Sequence, residues 1–316
     1  MKDNKNIAVV FPGQGSQRPG MGKDFYEQMP VCRQTFEEAA DALGWDVAAM
    51  CFGEDEKLNL TEFTQPCIVT TEICMLRGLA ERYGFEPDYF GGHSLGEFTA
   101  LVAAGVMFLT DAVKIVQTRG RLMQEAVPVG VGGMAAVISE NIDMDVLTKA
   151  MEGLKAGIAN INSANQVVIS GEIPAIDEAE KRLTENFPAG KSFRFIRLNV
   201  SAPFHSILMK TIEGRFADTL EKFGNHLNPA NASRVTSNFT GGFHPGDVTE
   251  VKSNLVNQIS HTVNWRKNMQ TLAEQTQDIY EIGPGRPLRD FFKTIGVTCQ
   301  SITGLNAAEK IFKTTH

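Results

Sequence analysis

The chain has 316 residues, 42% hydrophobic and 21% charged, enough for a substantial core in one large domain or a domain with an inserted piece. A net charge of −7 argues against a nucleic-acid binder, and the apolar run in MKDNKNIAVVFPG is too short for a signal peptide or a membrane span. Five cysteines (Cys32, Cys51, Cys67, Cys74, Cys299), odd in number and without C-x-x-C spacing, read as reduced thiols of a cytoplasmic protein.

Ile7 to Phe11 is a continuous apolar run, as in a buried strand of a parallel sheet. The turn residues Pro12-Gly13-Gln14-Gly15-Ser16-Gln17 end it. A Gly-rich loop there lies where α/β proteins put ligand contacts, or is a plain strand-to-helix turn. No G-K-[ST] follows, so it is not a phosphate loop. Phe25 to Leu43 has helical spacing, Asn59 to Pro66 reads as a break, and Cys67 to Tyr83 as a long helix.

A strand at Asp88–Phe90 then leads into Gly92-His93-Ser94-Leu95-Gly96, and Glu97 to Ala104 reads as a helix. Strand, G-x-S-x-G, helix is the frame of a nucleophile elbow, in which Ser94 is held out on a tight turn before the free N–H groups of a helix end. The alternative is a Gly-rich turn with a capping serine. A further helix follows from Ala112 to Ala126, after a start at Thr110-Asp111. Arg119, Leu122 and Met123 share a face of it, so Arg119 either points inward and needs an anion or is a solvated surface residue.

From Pro128 the texture changes. Gly130 to Gly133 reads as a flexible joint. Strands are expected at Met134–Ile138, Gly157–Ile161, Asn165–Ser170 and Ser192–Leu198, with helices at Asp143–Glu152 and Ala175–Asn186. That order is βαββαβ, the ferredoxin-like pattern, so residues 128–199 form a small subdomain inserted into an α/β domain made of 1–127 and 200–316. Asn160 and Asn162 alternate along one strand and face either a cleft between the two parts or solvent at a sheet edge.

The chain returns through Ser201-Ala202-Pro203-Phe204-His205-Ser206 to a helix expected over Ile207–Phe223. His205, on a loop after a Pro-containing turn, is the leading candidate base. His93 adjoins the elbow and should point away from Ser94, while His226, His244 and His261 sit in turn-like surroundings. Strands at Val235–Phe239, Ile279–Ile282 and Cys299–Ile302, with helices at Val251–Ile259 and Pro287–Ile295, complete the chain. No His/Cys/Asp cluster has metal-ligand spacing, so no metal or cofactor is implied.

Four separated motifs, FPGQGSQ at 11–17, GHSLGE at 92–97, TRGRLMQEAVP at 118–128 and SAPFHSILM at 201–209, make the sequence resemble the malonyl-CoA:acyl-carrier-protein transacylase family. NQISHTVNW at 257–265 and EIGPG at 281–285 support the resemblance, which spans almost the whole chain. It implies an α/β-hydrolase-like catalytic domain with a mainly parallel sheet, plus the ferredoxin-like insert. It also implies Ser94 as nucleophile and His205 as general base, oriented by the main-chain carbonyl of Gln258 rather than by an acid. The backbone N–H groups of Gln14 and Leu95 would be the oxyanion donors.

The match of TRGRLM implies that Arg119 grips the free malonyl carboxylate with its planar fork. Asn160 and Asn162 match family positions facing the cleft, and His93 is placed with them among substrate contacts. Phe204, at a position that varies in the family, is expected to narrow the pocket and favour malonyl over methylmalonyl. The implied partners are malonyl-CoA and an acyl carrier protein, in fatty-acid or polyketide synthesis, with no nucleic acid and no membrane. Lys191, Arg194, Arg197, Lys210, Arg286 and Lys293 are candidates for meeting an acidic carrier. An acyl hydrolase of the same fold would have no use for Arg119, and a non-catalytic docking module no use for Ser94 and His205.

Overall fold

The structure, a computed structural model, describes residues 6–187 and 192–313. Its strands are β1 (Ile7–Phe11), β2 (Tyr89–Gly92), β3 (Gly132–Ser139), β4 (Ala156–Ile161), β5 (Gln166–Glu172), β6 (Phe193–Arg197), β7 (Asp278–Ile282) and β8 (Cys299–Ile302). Its α-helices up to the second strand are α1 (Lys23–Gln28), α2 (Pro30–Leu43), α3 (Val47–Phe52) and α4 (Thr61–Tyr83). Then come α5 (Gly96–Ala103), α6 (Leu109–Glu125), α7 (Met144–Ala150), α8 (Ile173–Asn186) and α9 (Glu213–Glu221). The last are α10 (Val248–Gln258), α11 (Trp265–Ala273), α12 (Arg289–Lys293) and α13 (Leu305–Lys313).

The strands form two separate sheets. One is parallel, in the order β2-β1-β7-β8, and the other antiparallel, in the order β4-β5-β3-β6. The parallel strand β1 is apolar throughout because both its faces are covered: Val9 and Phe11 pack into the larger core, Ala8 and Val10 into a second cluster with Trp265, Met269 and Phe292. The antiparallel sheet buries one face against α7 and α8, around Ala135, Val137, Ile169, Leu147 and Ile176. β1 and β2 run side by side, with Phe11 opposite Gly92, so the loops after their carboxyl ends, Pro12–Gln17 and His93–Leu95, emerge together. At β4 the antiparallel sheet is joined by Val263, ahead of α11, which bridges Asn160 and exchanges backbone hydrogen bonds with Ala159 and Ile161.

Several boundaries differ from the sequence reading. The stretch Asn59–Pro66 is not a break: α4 starts at Thr61 and carries Pro66 inside it, with residues 64–76 buried throughout. Tertiary burial outweighs the lost Glu62 hydrogen bond. Residues 25–43 are two helices, because Met29, just before Pro30, is extended. Residues 207–223 begin as a 3-10 helix over Ile207–Ile212 and become α-helical only at Glu213. Val235–Phe239 is no strand; it makes only single bridges from Val235 to Phe90 and from Thr236 to Phe243. Gly132 and Gly133, read as part of a joint, already belong to β3.

Candidate active site

Ser94 lies on the turn between β2 and α5 at φ 53°, a left-handed conformation that costs a non-glycine residue about 1–3 kcal/mol. The flanking glycines have steric reasons. A Cβ on Gly92 would stand 2.0 Å from the Gly96 carbonyl, and one on Gly96 would stand 2.1 Å from the Phe11 oxygen. The backbone N–H groups of Leu95 and Gln14 have no acceptor among the described residues, whereas the Gln14 side chain is tied to Thr61 Oγ1 at 3.1 Å. The α5 N-terminus begins immediately after them at Gly96.

Ser94 Oγ lies 2.7 Å from His205 Nε2, and His205 Nδ1 lies 2.7 Å from the main-chain oxygen of Gln258. A carbonyl only accepts, so Nδ1 carries the proton and Nε2 presents its lone pair to the serine hydroxyl. Burial of His205, reinforced by the charge of Arg119, pushes its pKa down to about 3, so the ring is neutral near pH 7. Its own backbone is also left-handed, at φ 56°.

Arg119 points inward from α6 and is 1% exposed. Its guanidinium donates to Gln65 Oε1 at 3.0 Å, to Gln258 Oε1 at 2.7 Å and to Ser94 Oγ at 3.2 Å. Its Nε, also buried, has no partner among the described residues. The Phe98 ring lies 5.4 Å from its Cζ. Burial brings its pKa down to about 10, which leaves it charged at neutral pH; the charge of Glu97 opposes that shift. A desolvated cation is thus held against the serine hydroxyl by neutral acceptors alone.

The remaining residues singled out in the sequence divide. His93 turns to Asn162, with Nε2 2.8 Å from its Oδ1, and desolvation lowers its pKa. Asn162 is buried just past the end of β4 and also donates to Gln166 Oε1 at 2.8 Å. Asn160 is buried on β4, just after an irregularity in the pairing with β5 between Ile158 and Asn160. Phe204 is half-buried where the larger core meets the apolar cluster of Met134, Ala136, Ala159 and Val168. Of the basic residues, Arg197 pairs with Asp177 and Glu180, Lys293 pairs with Asp290, and Lys191 lies outside the described residues. Among the described residues no three His, Cys, Asp or Glu side chains gather closely enough to hold a metal ion.

The family model "Acyl transferase domain" matches residues 8–282. The malonyl CoA-acyl carrier protein transacylase of Bacillus subtilis is 37% identical over 303 residues, covering 94% of this chain and 92% of that protein. The chain belongs to the malonyl CoA-acyl carrier protein transacylase family. The crystal structure of the Clostridium perfringens transacylase superposes with a TM-score of 0.88 at 33% identity, over 98% of this chain and 97% of that one. A malonyl-transacylase solved in complex with its type II polyketide-synthase acyl-carrier protein gives 0.87 at 33% identity, over 98% and 100%.

For this member of the transacylase family, the sequence reading missed the polar layer beneath the elbow. Glu97, Asn238, His244 and the side chain of Gln258 are all buried and hydrogen-bonded to one another. The sequence points to Gln258 only for its carbonyl, and places His244 in turn-like surroundings. Glu97 adjoining the G-x-S-x-G glycine is the one available signal, an acid in the first turn of a mostly apolar helix.

Proposed function

We propose that the chain moves a malonyl group from malonyl-CoA to the phosphopantetheine thiol of an acyl carrier protein, by ping-pong exchange through a malonyl-Ser94 ester. The observation that carries this reading is Arg119: a buried cation 3.2 Å from Ser94 Oγ whose hydrogen-bond acceptors are two glutamines and a serine, none of them an anion. The carboxylate of a malonyl group supplies the missing partner, in a fork-to-fork pairing.

In the first half-reaction Ser94 Oγ attacks the thioester carbonyl while its proton passes to His205 Nε2. The oxyanion is received by the N–H groups of Gln14 and Leu95. Collapse breaks the C–S bond, and CoA leaves with the proton returned by His205. In the second half the carrier thiol gives its proton to His205 and attacks the ester, and Ser94 leaves as the hydroxyl. The Gln258 carbonyl keeps the imidazole in the required tautomer throughout. Asn160, Asn162 and His93 face the acyl and pantetheine path, and Phe204 narrows it against a methyl branch.

Residues 1–127 and 200–316 form an α/β-hydrolase-like catalytic domain, and 128–199 a ferredoxin-like subdomain. The order β4-β5-β3-β6 with α7 and α8 as its crossovers supports the second assignment. A reducing, cytoplasmic setting is supported by five buried free thiols.

The test is intact-mass measurement after incubation with malonyl-CoA. Wild type gains one malonyl group and passes it to a holo carrier protein, while Ser94→Ala gains none. Malonyl uptake by Ser94→Ala refutes the nucleophile, and rapid loss of the group to water without carrier transfer turns the reading into a hydrolase.

A further inference from the structure

The strained conformation of Ser94 is held at both of its backbone polar groups by side chains. Its N–H donates to Asn238 Oδ1 at 2.6 Å, and its carbonyl accepts from Gln258 Nε2 at 2.9 Å. Both of these residues converge on one carboxylate. Glu97 Oε2 accepts from Gln258 Nε2 at 2.6 Å and from the Asn238 backbone N–H at 3.0 Å. The other oxygen, Oε1, accepts from His244 Nε2 at 2.7 Å. Glu97, Asn238, His244 and Gln258 are each no more than 1% exposed. Asn254 Nδ2 faces His244 Nδ1 at 3.4 Å, which leaves the Nε2 proton for Glu97.

The Gln258 amide is therefore a bridge between opposite charges. Its NH2 end meets the Glu97 carboxylate, and its oxygen meets Arg119 Nη2 at 2.7 Å. With the amide turned over, NH2 would oppose guanidinium and oxygen would oppose carboxylate. The anion thus fixes which end of Gln258 the cation sees. A buried carboxylate requires pairing of this kind, and three donors supply it here. The amide relays that requirement to Arg119.

We propose that Glu97 is a positioning residue of the acyl site, acting through Gln258 and Asn238 to hold the Ser94 backbone and through Gln258 to aim the Arg119 guanidinium. The proposal rests on the reading of Ser94 as nucleophile and Arg119 as the malonyl partner. Glu97 itself touches no reacting atom. Its effect is selective as well as general: loss of the bridge loosens the serine for every substrate, but misaims Arg119 only for substrates with a carboxylate.

Four proteins test this: wild type, Glu97→Gln, Gln258→Met and the double variant. The readouts are kcat/KM for malonyl-CoA and acetyl-CoA, and the rate of Ser94 labelling by a neutral fluorophosphonate, with the unfolding midpoint as a control on folding. Each single variant is expected to lower the malonyl-to-acetyl ratio about tenfold and to slow labelling about tenfold, as befits a lost charge-assisted hydrogen bond. The double variant is expected to be no worse than the poorer single within about threefold, because both changes remove the same bridge. Gln258→Met keeps the carbonyl that orients His205 and leaves Glu97 two donors, so it decides the matter even if Glu97→Gln does not fold. A wild-type ratio and labelling rate in folded Gln258→Met, or losses that multiply in the double variant, overturn the proposal. A wild type that takes up no malonyl group at all refutes the functional reading instead, and the labelling rates still report on the hold over Ser94.

Discussion

Replacing Arg119 by alanine is expected to separate the proposed recognition of the malonyl group from the proposed chemistry at Ser94. The guanidinium is 1% exposed and makes hydrogen bonds of 2.7, 3.0 and 3.2 Å, all to neutral acceptors. Its desolvation is therefore only partly offset until a carboxylate arrives. Removing one member of a buried charge pair costs about 2–5 kcal/mol. At about 1.4 kcal/mol per factor of ten, that is a loss of about 30- to 4,000-fold in kcat/KM for malonyl-CoA. Acetyl-CoA has no carboxylate to lose, so Arg119→Ala keeps or improves its turnover. Arg119→Lys recovers little, because an ammonium cannot reproduce the planar fork. The assay is kcat/KM for malonyl-CoA and acetyl-CoA with wild type and both variants. The charge also depresses the pKa of His205, so in Arg119→Ala the acid limb of the acetyl rate moves to higher pH. Equal losses on both substrates would make Arg119 structural and refute the argument.

His205→Ala is expected to slow acylation about 10²- to 10⁴-fold, measured by single-turnover formation of the ester. With the His205 pKa near 3, wild-type acylation should stay level as pH falls through the usual histidine range, and an acid limb near 6.5 would contradict the burial argument. Because that pKa is depressed on folding, His205 contributes stability that is full above its unfolded pKa of about 6.5 and is lost as pH falls toward 3; His205→Gln should flatten this part of the unfolding profile. Ser94→Gly should be more stable than Ser94→Ala by about 1 kcal/mol, since both lack the hydroxyl and only alanine keeps the left-handed strain; a higher unfolding midpoint for the alanine variant would refute it. Transfer to an acidic carrier should weaken as salt rises and screens surface charge, while hydrolysis of the acyl-enzyme should not; an apparent affinity unchanged by salt would point to an apolar docking surface.

The local grammar of the elbow was legible in the chain itself. An apolar strand, two glycines around a serine and a following helix leave few other conformations, because a Cβ at Gly92 or Gly96 would collide with backbone. Most strands and helices of both sheets were legible for the same reason, since their period sets which face is buried. What the chain could not show was the pairing of residues far apart in sequence. Ser94 and His205 are separated by 111 positions and Arg119 and Gln258 by 139, and each meeting depends on where β2, α6 and α10 are carried by packing. The inward turn of Arg119 was an open choice until burial settled it, and Pro66 was misread because helix propensity yields to a fully buried face. Asn238 and His244 carry no local signal of a task shared with Glu97. A buried carboxylate must find its donors wherever the fold brings them, so only the tertiary structure decided that they lie under Ser94.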